Sequence, residues 1–195
     1  GAFIETIEKY GLGRDLDRTI ITQALHAARA RLDASKPPFR LFINLSAQEI
    51  QGRGILGYAE QLCTELGIPP SVIVFEILER DAIGDMTHMR KFLSDLRKKG
   101  FLFALDDFGS GYNSFHYLRE LTFDYVKIDG AFVKNIVRSK VDRTLVHNLT
   151  RLCQELGILT IAEFVESEDI LQTLRSMGVD YAQGFHLGIP ASAMP

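Results

Sequence analysis

The sequence is poor in cysteine, with 2 residues among 195, and it has no long uninterrupted apolar run. Cys63 and Cys153 fall in separate predicted helices, so we expect two reduced, buried thiols in a cytosolic domain. A zinc site needs closely spaced cysteine or histidine ligands, and the 5 histidines show no such spacing. No stretch of about 20 apolar residues predicts a transmembrane helix, and we predict no signal peptide.

Positive charge is not in excess either. The 22 Lys and Arg residues stand against 25 Asp and Glu, which gives a formal net charge of -3. A protein that binds nucleic-acid polymers needs a basic face, so this balance argues against that class. The length predicts one domain that spans residues 1–195 and buries a substantial core.

Short apolar runs alternate with helical periodicity, which predicts βα units, a parallel sheet and an α/β fold. Several predicted helices end in a glycine followed by an apolar residue, the pattern of a left-handed helix cap. These glycines are Gly67, Gly100, Gly157 and Gly178. Asp15 is expected to cap a helix over residues 16–34. The predicted strands are 40–45, 72–77, 101–107, 125–128, 159–162 and 181–183. The other predicted helices are 2–10, 46–50, 55–66, 86–99, 114–120, 131–137, 141–156 and 169–177.

The apolar run that begins at Phe101 ends in two adjacent carboxylates, Asp106 and Asp107, before a loop with two glycines. Neighbouring aspartates repel each other unless a cation or hydrogen-bond donors lie nearby. A metal site is one interpretation of this pair. The other interpretation is a helix-capping aspartate beside a solvated one.

Polar side chains stand at the carboxyl end of every predicted strand. They are Asn44, Glu76, Asp106, Asp107, Lys127, Glu163 and Gln183. In a βα barrel these ends face one mouth, where such enzymes keep their sites. Oxygen ligands without cysteine or histidine favour hard cations such as Mg²⁺ or Mn²⁺. Paired metals favour phosphodiester hydrolysis, and Lys127 would hold a water or a phosphate oxygen beside them.

Six short motifs, taken in order, resemble those of one protein family. They are Asn44-Leu45-Ser46, Glu76-Ile77-Leu78-Glu79, Asp106-Asp107-Phe108-Gly109-Ser110-Gly111-Tyr112, Lys127-Ile128-Asp129, Ala162-Glu163-Phe164-Val165-Glu166 and Gln183-Gly184. Over residues 2–190 the chain resembles the EAL domain family, the phosphodiesterases that act on the bacterial second messenger cyclic di-GMP. The resemblance implies a TIM-like (β/α) barrel, here incomplete because two N-terminal strands are missing.

The resemblance also implies a two-metal site for Mg²⁺ or Mn²⁺. Asn44, Glu76 and Asp106 are similar to the ligands of the first metal. Asp107 is similar to a ligand of the second metal.

Five further residues match family positions around this metal site. Lys127 resembles the lysine that contacts the catalytic water, and Glu163 resembles the glutamate that acts as general base or metal-site partner. Glu79 resembles the glutamate that holds the glycine loop after the two aspartates. Glu166 and Gln183 match positions that support metal, water or substrate.

The implied reaction is hydrolysis of one phosphodiester bond of cyclic di-GMP, which yields linear pGpG. The resemblance further implies a homodimer, and a parent protein with fused sensory or cyclase domains. It places this domain in the cytoplasm and leaves membrane anchoring of the parent protein open.

Three departures from the family pattern favour a second hypothesis. The family is named for a Glu-Ala-Leu motif that this chain lacks, Leu78 stands where the family usually has Thr, and Phe164 stands where it usually has Gly. The second hypothesis is an inactive module that binds cyclic di-GMP or a partner protein. Another metal-dependent barrel enzyme and a structural interaction domain are the remaining alternatives. Asp129 is expected either at the mouth or as a helix cap.

Overall fold

A computed structural model describes residues 13–34, 37–45, 54–82, 86–109 and 118–191. These residues divide into two compact units. One unit contains Gly1–Ile77 and Met86–Leu102, and the other contains Leu78–Asp85 and Phe103–Ala193. The predicted helices over 2–10 and 46–50 lie outside the described residues, as does most of the one predicted over 114–120.

Strands and helices alternate along the described chain, as the hydrophobic pattern predicts. The helices are α1 (Gly13–Asp33), α2 (Gly54–Leu66), α3 (Glu79–Ala82), α4 (Met86–Arg97), α5 (Gly130–Val133), α6 (Lys140–Leu156) and α7 (Glu168–Ser176). The strands are β1 (Leu41–Asn44), β2 (Ile73–Leu78), β3 (Leu102–Phe108), β4 (Tyr125–Ile128), β5 (Leu159–Ala162) and β6 (Tyr181–Ala182). All six predicted strands are therefore found.

The first unit pairs β1 with β2 in parallel and covers the pair with helices. Leu41 lies opposite Ile73 at the start of the ladder, and Asn44 lies opposite Glu76 at its end. Helix α1 packs on α2, where the Thr22 and Tyr58 hydroxyls lie 2.6 Å apart. The apolar residues Ile73, Val74, Phe75 and Ile77 of β2 are almost fully buried, and Glu76 is the one polar residue among them.

The second unit holds four parallel strands in the order β3, β4, β5, β6. Helix α6 packs against β5 and α5. Strand β4 is buried along its whole length and lies between β3 and β5 in the sheet. The carboxyl ends of these four strands point in one direction, so the polar residues that follow them share one edge.

The four glycine caps predicted from the sequence are confirmed. Gly67, Gly100, Gly157 and Gly178 all have φ between 62° and 91°. The apolar residue after each glycine donates its N–H to a carbonyl five residues earlier, for example Ile158 to Cys153 at 2.8 Å. This bond is the signature of the Schellman motif.

Some boundaries differ from the prediction. Asp15 lies inside α1, so its predicted role as the cap of that helix is wrong. The helix predicted over 131–137 ends at Val133 and continues as turns. Strand β3 begins and ends one residue later than predicted, at Leu102 and Phe108, and Phe108 is itself buried.

Cys63 and Cys153 are buried, and neither forms a disulfide. Burial raises the pKa of the Cys63 thiol to about 11 and that of Cys153 to about 12. Both thiols are therefore protonated and unreactive at neutral pH. Among the described residues, no helix combines the length and apolar character needed to cross a membrane.

Candidate active site

The two adjacent aspartates lie at an irregularity in the pairing of β3 with β4. Between Leu105 and Phe108 the register shifts, and β3 uses one residue more than β4. Asp107 takes a left-handed conformation with φ of 55°, which aspartate tolerates better than most residues. A bulge of this kind redirects the side chains that it carries. Asp106 is buried and Asp107 is half-buried.

Lys127 connects the carboxylates of two neighbouring strands. Its Nζ lies 2.9 Å from Asp106 Oδ1 and 2.9 Å from Glu163 Oε1. Gln183 Nε2 donates to the same Glu163 oxygen at 2.7 Å. Asp106 and Lys127 lie near the ends of β3 and β4, and Glu163 and Gln183 directly follow β5 and β6. The parallel strands therefore bring all four residues to one place.

The electrostatics of this cluster are unfavourable for further negative charge. Burial raises the pKa of Glu163, and the Lys127 ammonium opposes that rise. Burial also raises the pKa of Asp107, and repulsion from the nearby Asp106 and Asp129 carboxylates raises it further. Lys127 therefore neutralises only part of the negative charge that the cluster carries.

The same carboxylates form a set of possible metal ligands. Asp106, Asp107 and Glu163 each have an oxygen within 4.8 Å of an oxygen of the other two. Carboxylate oxygens without sulfur or imidazole suit a hard divalent cation. A cation would also relieve the repulsion from Asp106 and Asp129, which adds to the effect of burial on the pKa of Asp107. The residues present therefore fit a metal of this type.

Glu79 holds the start of the glycine loop. It is almost completely buried, and its Oε2 accepts the Gly109 N–H at 2.9 Å. Gly109 has φ of 102°, and a Cβ there would lie 2.6 Å from Phe132 Cε2. Only glycine fits this position. The hydrogen bond from Gly109 to Glu79 ties the start of the loop to the residue that directly follows β2.

The remaining predicted site residues lie in different surroundings. Asn44 and Glu76 stand side by side at the ends of β1 and β2 in the first unit. Glu166 is exposed and lines a cavity together with Glu163 and Gln183. Asp129 caps α5, since its Oδ1 accepts the Ala131 N–H at 2.7 Å.

Two residues beside this cavity were missed by the sequence analysis. Gly130 packs directly against the Phe164 side chain, and the Lys134 ammonium lies 4.2 Å from the centre of the Phe164 ring. The only indication in the sequence was the unusual residue Phe164 itself. It lies more than 29 residues from Gly130 and Lys134, and no local pattern predicts a contact over that separation.

The comparisons with known proteins agree with this geometry. The EAL domain model matches residues 1–190. Cyclic di-GMP phosphodiesterase PdeB of Shewanella oneidensis is 39% identical over 188 residues, which cover 96% of this chain and 22% of PdeB. PdeF of Escherichia coli, also a cyclic di-GMP phosphodiesterase, is 32% identical over 97% of this chain and 25% of its own length. The chain thus spans about a quarter of these curated relatives.

The fold matches solved structures closely. The FimX EAL domain from Pseudomonas aeruginosa, bound to c-di-GMP, superposes with a TM-score of 0.89 at 29% identity. That match covers 100% of this chain and 77% of the FimX chain. The predicted α/β fold is confirmed, and the chain belongs to the EAL domain family.

Proposed function

We propose that this chain hydrolyses cyclic di-GMP to linear pGpG as a metal-dependent phosphodiesterase. The observation that carries the proposal is the buried cluster of Asp106, Asp107, Glu163 and Lys127 at the ends of three parallel strands. The names of PdeB and PdeF, and the c-di-GMP complex of FimX, support the choice of substrate.

The metal ligands in this proposal come from three strands, β1, β2 and β3. Asn44, Glu76 and Asp106 would hold one Mg²⁺ or Mn²⁺, and Asp107 would hold a second. Such ions supply a water of lowered pKa and stabilise the leaving oxygen. The bulge at the two aspartates supports separate roles for them, since it gives the two carboxylates different burial.

The other residues would position the water and the phosphate. Lys127 bridges two carboxylates and would contact the attacking water. Glu163 would act as general base or metal-site partner, held in place by the Gln183 amide. Glu79 would keep Asp107 in position through the Gly109 N–H, and Glu166 would support substrate from the exposed side of the cavity.

We also propose that residues 1–195 act as one partial EAL-type domain of a larger cytoplasmic protein. Its relatives are about four times longer, which supports fused domains. Sensory or cyclase modules are the expected types, and the name of the bifunctional cyclase and phosphodiesterase MucR is consistent with the latter. We propose further that this protein forms a homodimer.

The test is incubation with cyclic di-GMP and Mn²⁺, followed by chromatography of the products. It should use this chain and a version extended upstream, each with an Asp107→Asn variant. We expect the chains that retain Asp107 to produce linear pGpG. The Asp107→Asn variants should form this product at least about 100-fold more slowly. Asp95→Asn, an exposed carboxylate of α4, serves as the matched control.

The outcomes separate the two hypotheses for this site. Product formation that requires Asp107 supports the phosphodiesterase. Binding of cyclic di-GMP without any product, in both lengths of chain, would overturn the hydrolase proposal in favour of a receptor.

A further inference from the structure

Two segments of four residues repeat one pattern on either side of β5. They are Asp124-Tyr125-Val126-Lys127 and Asp180-Tyr181-Ala182-Gln183. The last residue of each segment contacts the same carboxylate oxygen, since Lys127 Nζ and Gln183 Nε2 lie 2.9 and 2.7 Å from Glu163 Oε1. The two segments therefore reach Glu163 from the two strands that flank β5.

The aspartate that opens each segment joins it to a neighbouring strand. Asp124 Oδ2 accepts the Phe103 N–H of β3 at 2.8 Å. Asp180 Oδ2 accepts both the N–H and the hydroxyl of Thr160 in β5, at 2.8 and 2.9 Å. The Asp180 N–H in turn donates to the Thr160 hydroxyl oxygen at 3.2 Å. Asp180 therefore contacts Thr160 through its side chain and its backbone together.

The two segments differ in the packing that supports them. All four residues of β4 are buried, and burial of its side chains specifies the register of a strand. Strand β6 consists of Tyr181 and Ala182 alone, and Tyr181 is 54% exposed. In the part of the chain that the structure describes, β6 pairs only with β5. A short strand with so little buried surface specifies its register weakly, so Gln183 needs another determinant of its position.

The backbone around Gln183 does not supply that determinant. Its N–H donates to the Ala162 carbonyl at 2.8 Å, and its carbonyl accepts the Val165 N–H at 3.0 Å. Every residue except proline carries the same backbone groups, so a shifted strand can form bonds of the same kind. Gly184 permits a close approach, because a Cβ there would lie 2.2 Å from Val165 N, but it offers no side chain to hold the strand. The contact of Asp180 with Thr160 involves side chains and is therefore specific to one register.

We propose that Asp180 is a positioning residue of the active site, which holds β6 so that the Gln183 amide meets Glu163. This inference rests on the proposed function, in which Gln183 keeps the Glu163 carboxylate in place. Successive residues of a strand are about 3.3 Å apart, so a shift of β6 by one residue would take Gln183 out of hydrogen-bonding distance. Removal of a residue that orients a site in this way typically lowers activity by about tenfold or more.

The experiment compares turnover of cyclic di-GMP by variants of this chain and of the version extended upstream. Asp180→Ala removes the contact with Thr160, and Asp180→Asn keeps an oxygen that can accept the Thr160 N–H. Thr160→Val tests the same contact from β5, because it removes the hydroxyl and keeps a branched side chain of similar size. Asp124→Ala is the matched control, since it removes the equivalent contact from a strand whose register is set by burial.

We expect Asp180→Ala to lower kcat about tenfold, with KM changed less than about threefold. Thr160→Val should lower kcat in the same direction, and Asp180→Asn should retain most of the parent value. Asp124→Ala should lose stability but keep the kcat of the folded enzyme within about threefold of the parent value. A loss of kcat in Asp124→Ala as large as that in Asp180→Ala would show that both aspartates only stabilise the fold.

Combining Asp180→Ala with Gln183→Ala tests whether Asp180 acts through Gln183. If it does, the double variant has the same kcat as Gln183→Ala alone, because the position of residue 183 no longer matters. A further tenfold loss in the double variant would overturn the positioning role.

A side-chain NMR measurement distinguishes this proposal from the proposed function. The Nε2 protons of Gln183 report its hydrogen bond to Glu163 without any substrate. We expect their chemical shifts to move to those of a solvated amide in Asp180→Ala and to stay unchanged in Asp124→Ala. Unchanged shifts in Asp180→Ala would contradict the positioning role. If the shifts move as expected while the parent chain does not cleave cyclic di-GMP, the proposed function fails and Asp180 still positions Gln183.

Discussion

Lys127 is the residue on which the charge balance of the cluster depends. Its ammonium is buried between Asp106 and Glu163, at 2.9 Å from each. Water cannot screen these charges well at such burial. Removal of the ammonium would therefore leave two buried carboxylates facing each other.

Lys127→Met should destabilise the protein by about 3 kcal/mol, the usual cost of removing one partner of a buried ion pair. Because burial raises the pKa of Glu163, that carboxyl takes up a proton at a higher pH in the folded chain than in the unfolded chain. The variant should therefore regain stability as the pH is lowered. Urea denaturation at several pH values would measure both effects.

Lys98→Met provides the control for this prediction. Lys98 pairs with Asp95 at 3.4 Å on the surface of α4, where such a pair contributes about 0.5 kcal/mol or less. Equal losses from the two variants would show that the buried bridge has no special stabilising role.

Gly109 is a second position where a single residue decides local structure. Gly109→Ala should cost about 2 kcal/mol, because alanine is strained at φ of 102° and its Cβ would meet the Phe132 ring. Turnover should fall as well, since the contact with Glu79 would be displaced. Thermal denaturation and the product assay measure the two effects.

The matched control is Gly57→Ala inside α2. No atom lies within 4 Å of a Cβ at Gly57, and alanine favours a helix over glycine by about 1 kcal/mol. This variant should be slightly stabilised, and a loss as large as that of Gly109→Ala would contradict the argument.

Two strands of the second unit are tied to their neighbours by aspartate side chains. Asp124 precedes β4, and its Oδ2 accepts the Phe103 N–H of β3 at 2.8 Å. Asp180 precedes β6, and its Oδ2 accepts both the N–H and the hydroxyl of Thr160, at 2.8 and 2.9 Å. Both aspartates stand directly before a tyrosine. Each satisfies a backbone donor at or near the start of the neighbouring strand.

Asp180→Ala should destabilise the β5–β6 edge by about 2 kcal/mol, because it leaves the Thr160 donors without their acceptor. Hydrogen exchange of the Thr160 amide should accelerate more than that of the Ile128 amide in β4. Equal acceleration of amide exchange in β4 and β5 would show that Asp180 does not stabilise the β5–β6 edge locally.

Metal binding links the site to the stability of the whole molecule. A ligand that binds only the folded state stabilises it by about 2.7 kcal/mol at 100 times its Kd. Mn²⁺ should therefore raise the melting temperature of the parent chain. Asp106→Asn should reduce that rise, since it removes a charged ligand from the cluster.

The control for the metal experiment is Asp95→Asn on the surface of α4. It should respond to Mn²⁺ as the parent chain does. An equal rise in the Asp106→Asn variant would place the bound ion somewhere other than this cluster.

The alternation of strands and helices and the positions of the glycine caps could be predicted from the sequence alone. Hydrophobic period is a local property, and so is the freedom of glycine, which has no Cβ, to adopt a positive φ. Residues such as Gly157 and the buried run of β4 therefore carry their own signal. The strand ends followed from the same reasoning, because parallel strands bring their carboxyl ends to one edge. The roles assigned to the polar residues at those ends stay predictions.

The arrangement of those residues depends on contacts between strands and helices that are distant in the sequence. The extra residue in β3 at the two aspartates depends on pairing with β4. The Lys127 bridge joins side chains that are 21 and 36 positions away in the sequence. The contacts of the Phe164 ring with Gly130 and Lys134 likewise join residues that are distant in the sequence. Such contacts depend on distances that the chain reaches only when folded, so no local pattern of residues predicts them.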